Sequence, residues 1–332
     1  MFSLFKNKKQ SQPAIVRRDE HGYVGKTRLR PDFLKKNINS RESVALDHWI
    51  QEGFANANRQ IKIASNPASN GETSLFYMAG GESESSLVGV IKPSLDSSGR
   101  YYPFVSFVHC GQDVIKLHPS MLFMNNTQSI ESLIGVTSSL HEADSTEKMD
   151  AVADHLKPIV EQFKQSPNIN EQVNRFRQIP MSVLWQAIGY DDVNDRAQLI
   201  HESSAILQSM ANRGCLRSQF GLRFPMPHFT HENAILGAFW LHLVTMIVAD
   251  HNWRPWFFYH FNEQSQQTSM TIFARPVPAS CFESIWHINT STKSVVDLTS
   301  LTLNTECSEK AMSLAKMDNV SMYDALRRWC KA

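Results

Sequence analysis

The chain has 332 residues, which is enough for two domains or for one large one. Hydrophobic residues make up 42% and charged residues 20%, a composition that excludes an intrinsically disordered chain. The 33 Lys and Arg residues balance 32 Asp and Glu residues, so no uniform field attracts nucleic acid or an anionic membrane. The five cysteines form no C-x-x-C pair, which predicts free thiols in the reducing cytoplasm.

The first half begins with a polar segment at 1–20, which predicts a mobile tail rather than a signal peptide. Apolar residues then recur at i, i+3 and i+4 spacing and predict an amphipathic helix, with Asn39 and Glu42 as its capping box. Short β-rich runs bounded by Pro, Gly and Ser predict three strands. The predicted helices cover 41–58, 119–125, 130–140 and 146–164, and the predicted strands 74–79, 87–91 and 104–108.

A polar segment at 165–172, QSPNINEQ, marks the predicted boundary between a first module at 21–165 and a second α/β domain at 173–332. The apolar run at 234–249 is shorter than the about 20 residues that cross a bilayer, so it predicts a core helix and no membrane insertion. Strands alternating with helices in both halves predict α/β layering. Predicted elements of the second half are helices at 181–188, 195–211 and 234–249 and strands at 220–224, 256–261 and 269–274.

Two short motifs resemble functional signatures but fail at defined positions. Gly25-Lys26-Thr27 ends like a phosphate-binding P-loop, yet Glu20 occupies the position of its first glycine. His231 and Glu232 begin like the H-E-x-x-H pattern of a zinc protease, but position 235, where the second His would stand, is Ile. We therefore expect no catalytic constellation, no metal and no cofactor.

The loop between the predicted strands at 87–91 and 104–108 is rich in turn-forming residues. Pro93, Asp96 and Gly99 suit a tight connection, and Asp96 and Arg100 are spaced to pair across it. From these residues alone, the loop is interpreted as a structural turn. The alternative is an anion site in the loop from Ser94 to Arg100, with Arg100 binding a phosphate or carboxylate.

These residues resemble the N-terminal module of the TagF family, regulators associated with bacterial type VI secretion. The family's loop pattern, G-V-x-x-P-S-x-D-x-x-G-R-x-x-P, is matched at eight positions. Upstream, G-K-L-P-x-x-G-D-F and W-x-x-W-[LI]-Q are matched in part, with Thr27, Arg28 and Pro31 replacing the family's Leu, Pro and Gly, and Leu46 near the first Trp. The matched residues are Gly25, Lys26, Asp32, Phe33, Trp49, Ile50, Gln51, Gly89, Val90, Pro93, Ser94, Asp96, Gly99, Arg100 and Pro103.

The resemblance implies a three-layer α-β-α sandwich with a mixed sheet, the second α/β half lying on it or beside it. It also implies a non-enzymatic cytoplasmic protein that represses type VI secretion after translation by binding a forkhead-associated scaffold protein. A homo-oligomer is left open, and no nucleic acid is expected as a partner. The expected binding residues are Gly25, Lys26, Asp32, Phe33, Trp49, Ser94, Asp96, Gly99 and Arg100.

Two assignments within this set have alternatives. Asp32, Asp96 and Arg100 either form a buried network that ties the two loops together or lie exposed and contact the partner. Trp49 belongs either to the core or to the interface. Two other functions stay open. One is a small-ligand or phosphate-binding α/β domain, or an enzyme, that uses the Ser94–Arg100 loop. The other is a structural subunit that leaves with the secreted machine.

Overall fold

A computed structural model describes residues 20–61, 71–111, 113–165, 168–261, 267–288, 292–301 and 306–331. The segment at 1–19, most of the predicted mobile tail, lies outside these residues. The strands are β1 (His21–Gly25), β2 (Leu34–Lys36), β3 (Thr73–Met78), β4 (Ser86–Lys92), β5 (Phe104–Cys110), β6 (Gly221–Pro227), β7 (Trp256–Phe261), β8 (Gln267–Phe273) and β9 (Val295–Asp297).

The helices of the described residues range from five residues to 21. They are α1 (Arg41–Ile61), α2 (Asp113–Leu117), α3 (Ser120–Asn125), α4 (Thr127–His141), α5 (Thr146–Ala153), α6 (Leu156–Phe163), α7 (Ile169–Gln178), α8 (Met181–Ala187), α9 (Val193–Arg213), α10 (Ala234–Val248), α11 (Phe282–Trp286), α12 (Glu309–Ala315) and α13 (Met322–Trp329). None of them combines the length and the apolar content that crossing a membrane requires.

The strands of the described residues form one sheet in the order β2-β1-β5-β4-β3-β7-β8-β6-β9. Neighbouring strands are antiparallel except β6 and β9, which are parallel, so the sheet is mixed as expected. β3 pairs with β7 along its whole length, from Thr73 opposite Phe261 to Met78 opposite Trp256. The sheet therefore continues from the first half of the chain into the second, across the segment at 165–172.

Helices cover both faces of this sheet. On one face, the apolar stripe of α1 packs with α11 against side chains of the central strands. On the other face, a larger apolar cluster unites α2 to α10 with α12 and α13. The predicted α/β class and three-layer α-β-α sandwich are confirmed, and the residues of both halves contribute to each layer.

The N-terminus of α1 differs from the predicted capping box. Ser40, not Asn39, caps the helix, because Ser40 Oγ accepts a hydrogen bond from Ser43 N at 3.0 Å and Ser43 Oγ accepts one from Ser40 N at 3.1 Å. Glu42 Oε1 accepts instead from Ser85 N at 2.8 Å. The carboxylate thereby links α1 to the segment that precedes β4.

The helix predicted over 146–164 is two helices, α5 and α6, separated by a turn at 154–155. Pro158 is the third residue of α6. A proline has no N–H to donate, and its ring collides with the carbonyl group four residues earlier, here that of Asp154. One continuous helix through this position is therefore unfavourable.

β6 extends past its predicted end, through two prolines. Gly221 N donates to Ser294 O at 2.9 Å, so the backbone N–H positions of odd-numbered residues in β6 point toward β9. β9 pairs with β6 only as far as Arg223. Pro225 and Pro227 lie beyond that point and face the same side, where the pairing no longer requires an N–H. The strand tolerates both prolines for this reason.

Candidate functional site

Two loops lie next to each other at the ends of the strands β1, β4 and β5. The first is residues 26–33, which follow β1, and the second is residues 93–103, which join β4 to β5. The first loop begins at Gly25, whose φ is +137°. A Cβ there would overlap the carbonyl oxygen of Pro103 and come within 2.7 Å of Phe104 Cα. Only glycine fits, because the backbones of the two loops approach each other at this point.

The second loop is a narrow turn folded around one carboxylate. Its two arms are joined by a bridge between Leu95 and Tyr101, and Asp96 N donates to Arg100 O at 3.0 Å. Asp96 Oδ1 accepts from the backbone N–H groups of Ser98 and Arg100, both at 2.9 Å. Gly99, with φ of +79°, supplies the left-handed residue that closes the turn.

Buried charges tie the two loops together. Asp96 Oδ2 lies 2.8 Å from Lys26 Nζ and 2.7 Å from Arg100 Nε, and its side chain is fully buried. Lys26 and Arg100 also both donate to the carbonyl oxygen of Pro31, at 3.3 and 2.8 Å. The predicted network therefore exists, but Asp32 is not in it. Asp32 is exposed and bonds to no other described residue, and Lys26 takes its place.

The carboxylate of Asp96 is held in its charged form. Burial alone would raise its pKa, but the hydrogen bonds from Lys26, from Arg100 and from the Ser98 amide outweigh burial and hold the pKa well below its usual range. The N–H groups that would cradle an external anion are thus already occupied by an anion of the chain. This geometry argues against the Ser94–Arg100 loop as a phosphate site.

Ser94 faces the interior and is also engaged. Its Oγ lies 2.9 Å from His141 Nε2, and the residue is only 6% exposed. Desolvation lowers the pKa of His141, as do the charges of Lys92 and Arg28. The pair is a hydrogen bond between a hydroxyl group and a neutral imidazole, which joins the second loop to the end of α4.

Phe33 is 42% exposed at the end of the first loop. Its ring meets Tyr102 edge-on at 4.8 Å between centroids, and Lys26 Nζ lies 4.9 Å from its centroid. One side of the ring is therefore held by the two loops while part of it remains open to solvent.

Trp49 is buried, 8% exposed, in the layer between α1 and the sheet. Its ring lies 5.7 Å from Trp256 and 5.9 Å from Phe258, and Phe282 from α11 packs at 5.1 Å. Of its two predicted positions the structure places Trp49 in the core, so it is not a surface for a partner.

Sequence reasoning missed three exposed side chains of the same loops: Arg28, Arg30 and Tyr101. Arg30 Nη2 donates to Phe33 O at 3.1 Å, which braces the first loop from outside. The available signal was compositional: Arg30 and Tyr101 stand where the family pattern requires nothing specific, and Arg28 stands where the pattern has Pro.

A second polar cluster, also missed, crosses the sheet under α11. Arg223 donates to Ser284 O and Ile288 O, each at 2.6 Å, and its Nε lies 3.3 Å from Thr271 Oγ1. Thr271 Oγ1 is in turn 3.0 Å from His260 Nε2. Burial and the charge of Arg223 hold the pKa of His260 well below its usual value. The cluster is enclosed, so we interpret it as a structural link between strands and α11.

Within the described residues, no group of three or more His, Cys, Asp or Glu side chains is placed to hold a metal ion. The polar groups at the centre of the two loops bond mainly to one another and form a frame. Basic and aromatic side chains are exposed on the outside of this frame.

Comparison with known proteins places this frame in a family. Residues 22–156 match the family model described as the TagF N-terminal domain, Type VI secretion system-associated. No curated protein matches the chain significantly. The chain is similar to a solved structure, PA0076 from Pseudomonas aeruginosa PAO1, at 16% identity over 82% of this chain and 96% of that one, with a TM-score of 0.45. The family match covers both loops and α1, so residues 22–156 form a TagF N-terminal domain, a domain described as type VI secretion system-associated.

Proposed function

We propose that this protein is a non-enzymatic, post-translational repressor of type VI secretion that acts in the cytoplasm by binding a forkhead-associated scaffold protein. The observation that carries the proposal is the match of residues 22–156 to the TagF N-terminal domain. The resemblance of the loop motifs to regulators of this family supplies the repressor role and the partner.

The physical character of the loops supports binding rather than catalysis. The titratable groups at their centre, Lys26 and Asp96, are bonded to each other and buried. Buried groups that are already paired with each other are poorly placed to exchange protons with a substrate. What the loops offer outward is a fixed shape, and a preformed shape lowers the entropy cost of binding another protein.

Deletion of the protein tests the repressor role. Secretion of type VI effectors into the medium should rise, with unchanged cellular amounts of the secretion components, because a post-translational repressor acts on assembled parts. Unchanged secretion in a deletion strain with an intact apparatus would refute the proposal. Fractionation of wild-type cells should retain the protein in the cytoplasm; release with the secreted machine would favour a structural subunit.

The alternative, a small-ligand domain, requires an anion to displace Asp96 from the amides of Ser98 and Arg100. Calorimetry of the full chain against nucleotides and phosphorylated peptides separates the two. Heat of binding at millimolar ligand that disappears in Arg100→Gln would favour the small-ligand function.

A further inference from the structure

The two neighbouring loops expose arginine and aromatic side chains, which we call the two-loop surface. Phe33 is 42% and Tyr101 48% exposed, and the guanidinium of Arg100 donates from the second loop to Pro31 O in the first. The members of the two-loop surface are Arg28, Arg30, Phe33, Arg100 and Tyr101, all exposed.

The surface carries positive charge that the protein does not neutralise locally. Arg28 and Arg30 form no ion pair with a carboxylate of the described residues, and the charge of Arg28 lowers the pKa of the nearby His141. The two loops hold four cations, Lys26, Arg28, Arg30 and Arg100, against two carboxylates, Asp32 and the buried Asp96, so positive charge is in excess. A local field of this kind is invisible in the chain's net charge of +1.

The surface is also rigid. Lys26 and Asp96 tie the loops beneath it, and Arg30 Nη2 braces the backbone at Phe33. Side chains on a frame that is already ordered lose less freedom on binding, so the same contacts give higher affinity.

We infer that the two-loop surface docks onto an acidic face of a folded partner protein, with Phe33 and Tyr101 as apolar anchors and the guanidinium groups opposite carboxylates. Aromatic residues and arginine are the types enriched at protein interfaces and among their dominant contacts. Guanidinium and carboxylate groups pair in a bidentate geometry that fixes orientation. The chain's net charge of +1 does not provide the broad basic surface that nucleic acid binding uses, which favours a protein over a nucleic acid. The inference rests on the proposed function, because it takes the partner to be the protein that is bound during repression.

The test is calorimetric titration of the full chain with the forkhead-associated scaffold protein of the same secretion system. Arg28→Glu and Tyr101→Ala are the informative variants, because neither side chain is bonded into the buried network. Each should weaken binding about tenfold or more, the size of effect expected for a central interface contact.

Arg213→Glu and Leu216→Ala are the matched controls. Arg213 and the 62% exposed Leu216 precede β6, which the strand register places at the opposite edge of the sheet from the two loops. Both controls should bind like the wild type, and thermal unfolding should show all four variants folded.

The outcomes separate the two ideas. If the wild type binds the scaffold and Arg28→Glu and Tyr101→Ala bind equally well, the docking surface is wrong while the proposed function stands. If the wild type does not bind the scaffold, the proposed partner is wrong and this inference falls with it. Tighter binding of a polythymidine oligonucleotide than of the scaffold would also overturn it, since the surface would then serve nucleic acid.

Discussion

Gly25→Ala tests whether the close approach of the two loops stabilises the whole sheet. Residue 25 has φ of +137°, and a new Cβ would overlap the carbonyl oxygen of Pro103. Strained backbone of this kind costs about 1–3 kcal/mol, and the paired β5 strand cannot move away without losing ladder bonds, so we take about 3 kcal/mol. The entropy of unfolding is about 2.1 cal/mol/K per residue, so one cooperative unit of 332 residues should lose about 4 °C in Tm.

The size of the shift also reports on domain organisation. If the first half unfolded alone, about 135 residues from 22 to 156 would carry the same 3 kcal/mol, and its Tm would fall by about 11 °C. Because β3 pairs with β7 along its whole length, we expect one calorimetric transition and the smaller shift. Two resolved transitions, with only one displaced, would contradict this reasoning.

Two matched glycine substitutions serve as controls. At Gly99, φ is +79° but no atom lies within 4 Å of a new Cβ, so Gly99→Ala should cost about 1 kcal/mol of conformational strain alone. Gly135 in α4 has free space and a helical backbone, so Gly135→Ala should stabilise by about 1 kcal/mol. A Gly25→Ala variant no less stable than Gly99→Ala would refute the steric argument.

Three further outcomes are expected. Asp96→Asn should lower the free energy of unfolding near pH 7, as measured by urea denaturation. The difference from wild type should be full above about pH 4 and should shrink as the pH falls through the depressed pKa of Asp96. A difference that does not depend on pH would contradict the charged network. His260 has a lowered pKa and is neutral in the folded protein, so the stability it contributes is present above about pH 6.5 and is lost as the pH falls. The difference in unfolding free energy between wild type and His260→Gln should therefore decrease in acid. A difference that increased in acid would contradict this reasoning. Trp49→Ala should cost about 4 kcal/mol in urea denaturation, and a cost below about 1 kcal/mol would mean that the residue is not packed as described.

Periodicity predicted those elements whose burial is one-sided or complete. The stripe that includes Leu46, Trp49 and Phe54 predicted α1, and the aromatic strand at 256–261 agrees with β7 residue for residue. Local chemistry that overrides periodicity caused the errors: Pro158 divides one predicted helix, and Ser40 takes the cap from Asn39. β1 and β2 were not predicted as strands, because β1 is a five-residue run with two glycines and β2 has three residues, too few to show an alternating pattern.

The candidate site was predictable in its residues but not in its pairings. The motif positions included Lys26, Asp96 and Arg100, yet only the i, i+4 pair of Asp96 and Arg100 could be inferred from spacing. Lys26 and Asp96 are 70 residues apart and meet only because β1 and β4 both pair with β5. The exposure of Asp32 follows from the path of the first loop, which local sequence does not determine.

The junction of β3 with β7 has a consequence for synthesis of the chain on the ribosome. About 180 residues separate the two strands, and at about 5–20 residues per second the partner of β3 is made about 10–40 s later. During that time the edge of β3, with Leu75, Phe76 and Tyr77, has no strand to pair with. An unpaired apolar edge of this kind invites pairing with other nascent chains. The nascent chain should therefore depend most on chaperones before residue 261 has emerged from the ribosome. A chain truncated between the two halves never makes β7, so its β3 edge should stay unpaired.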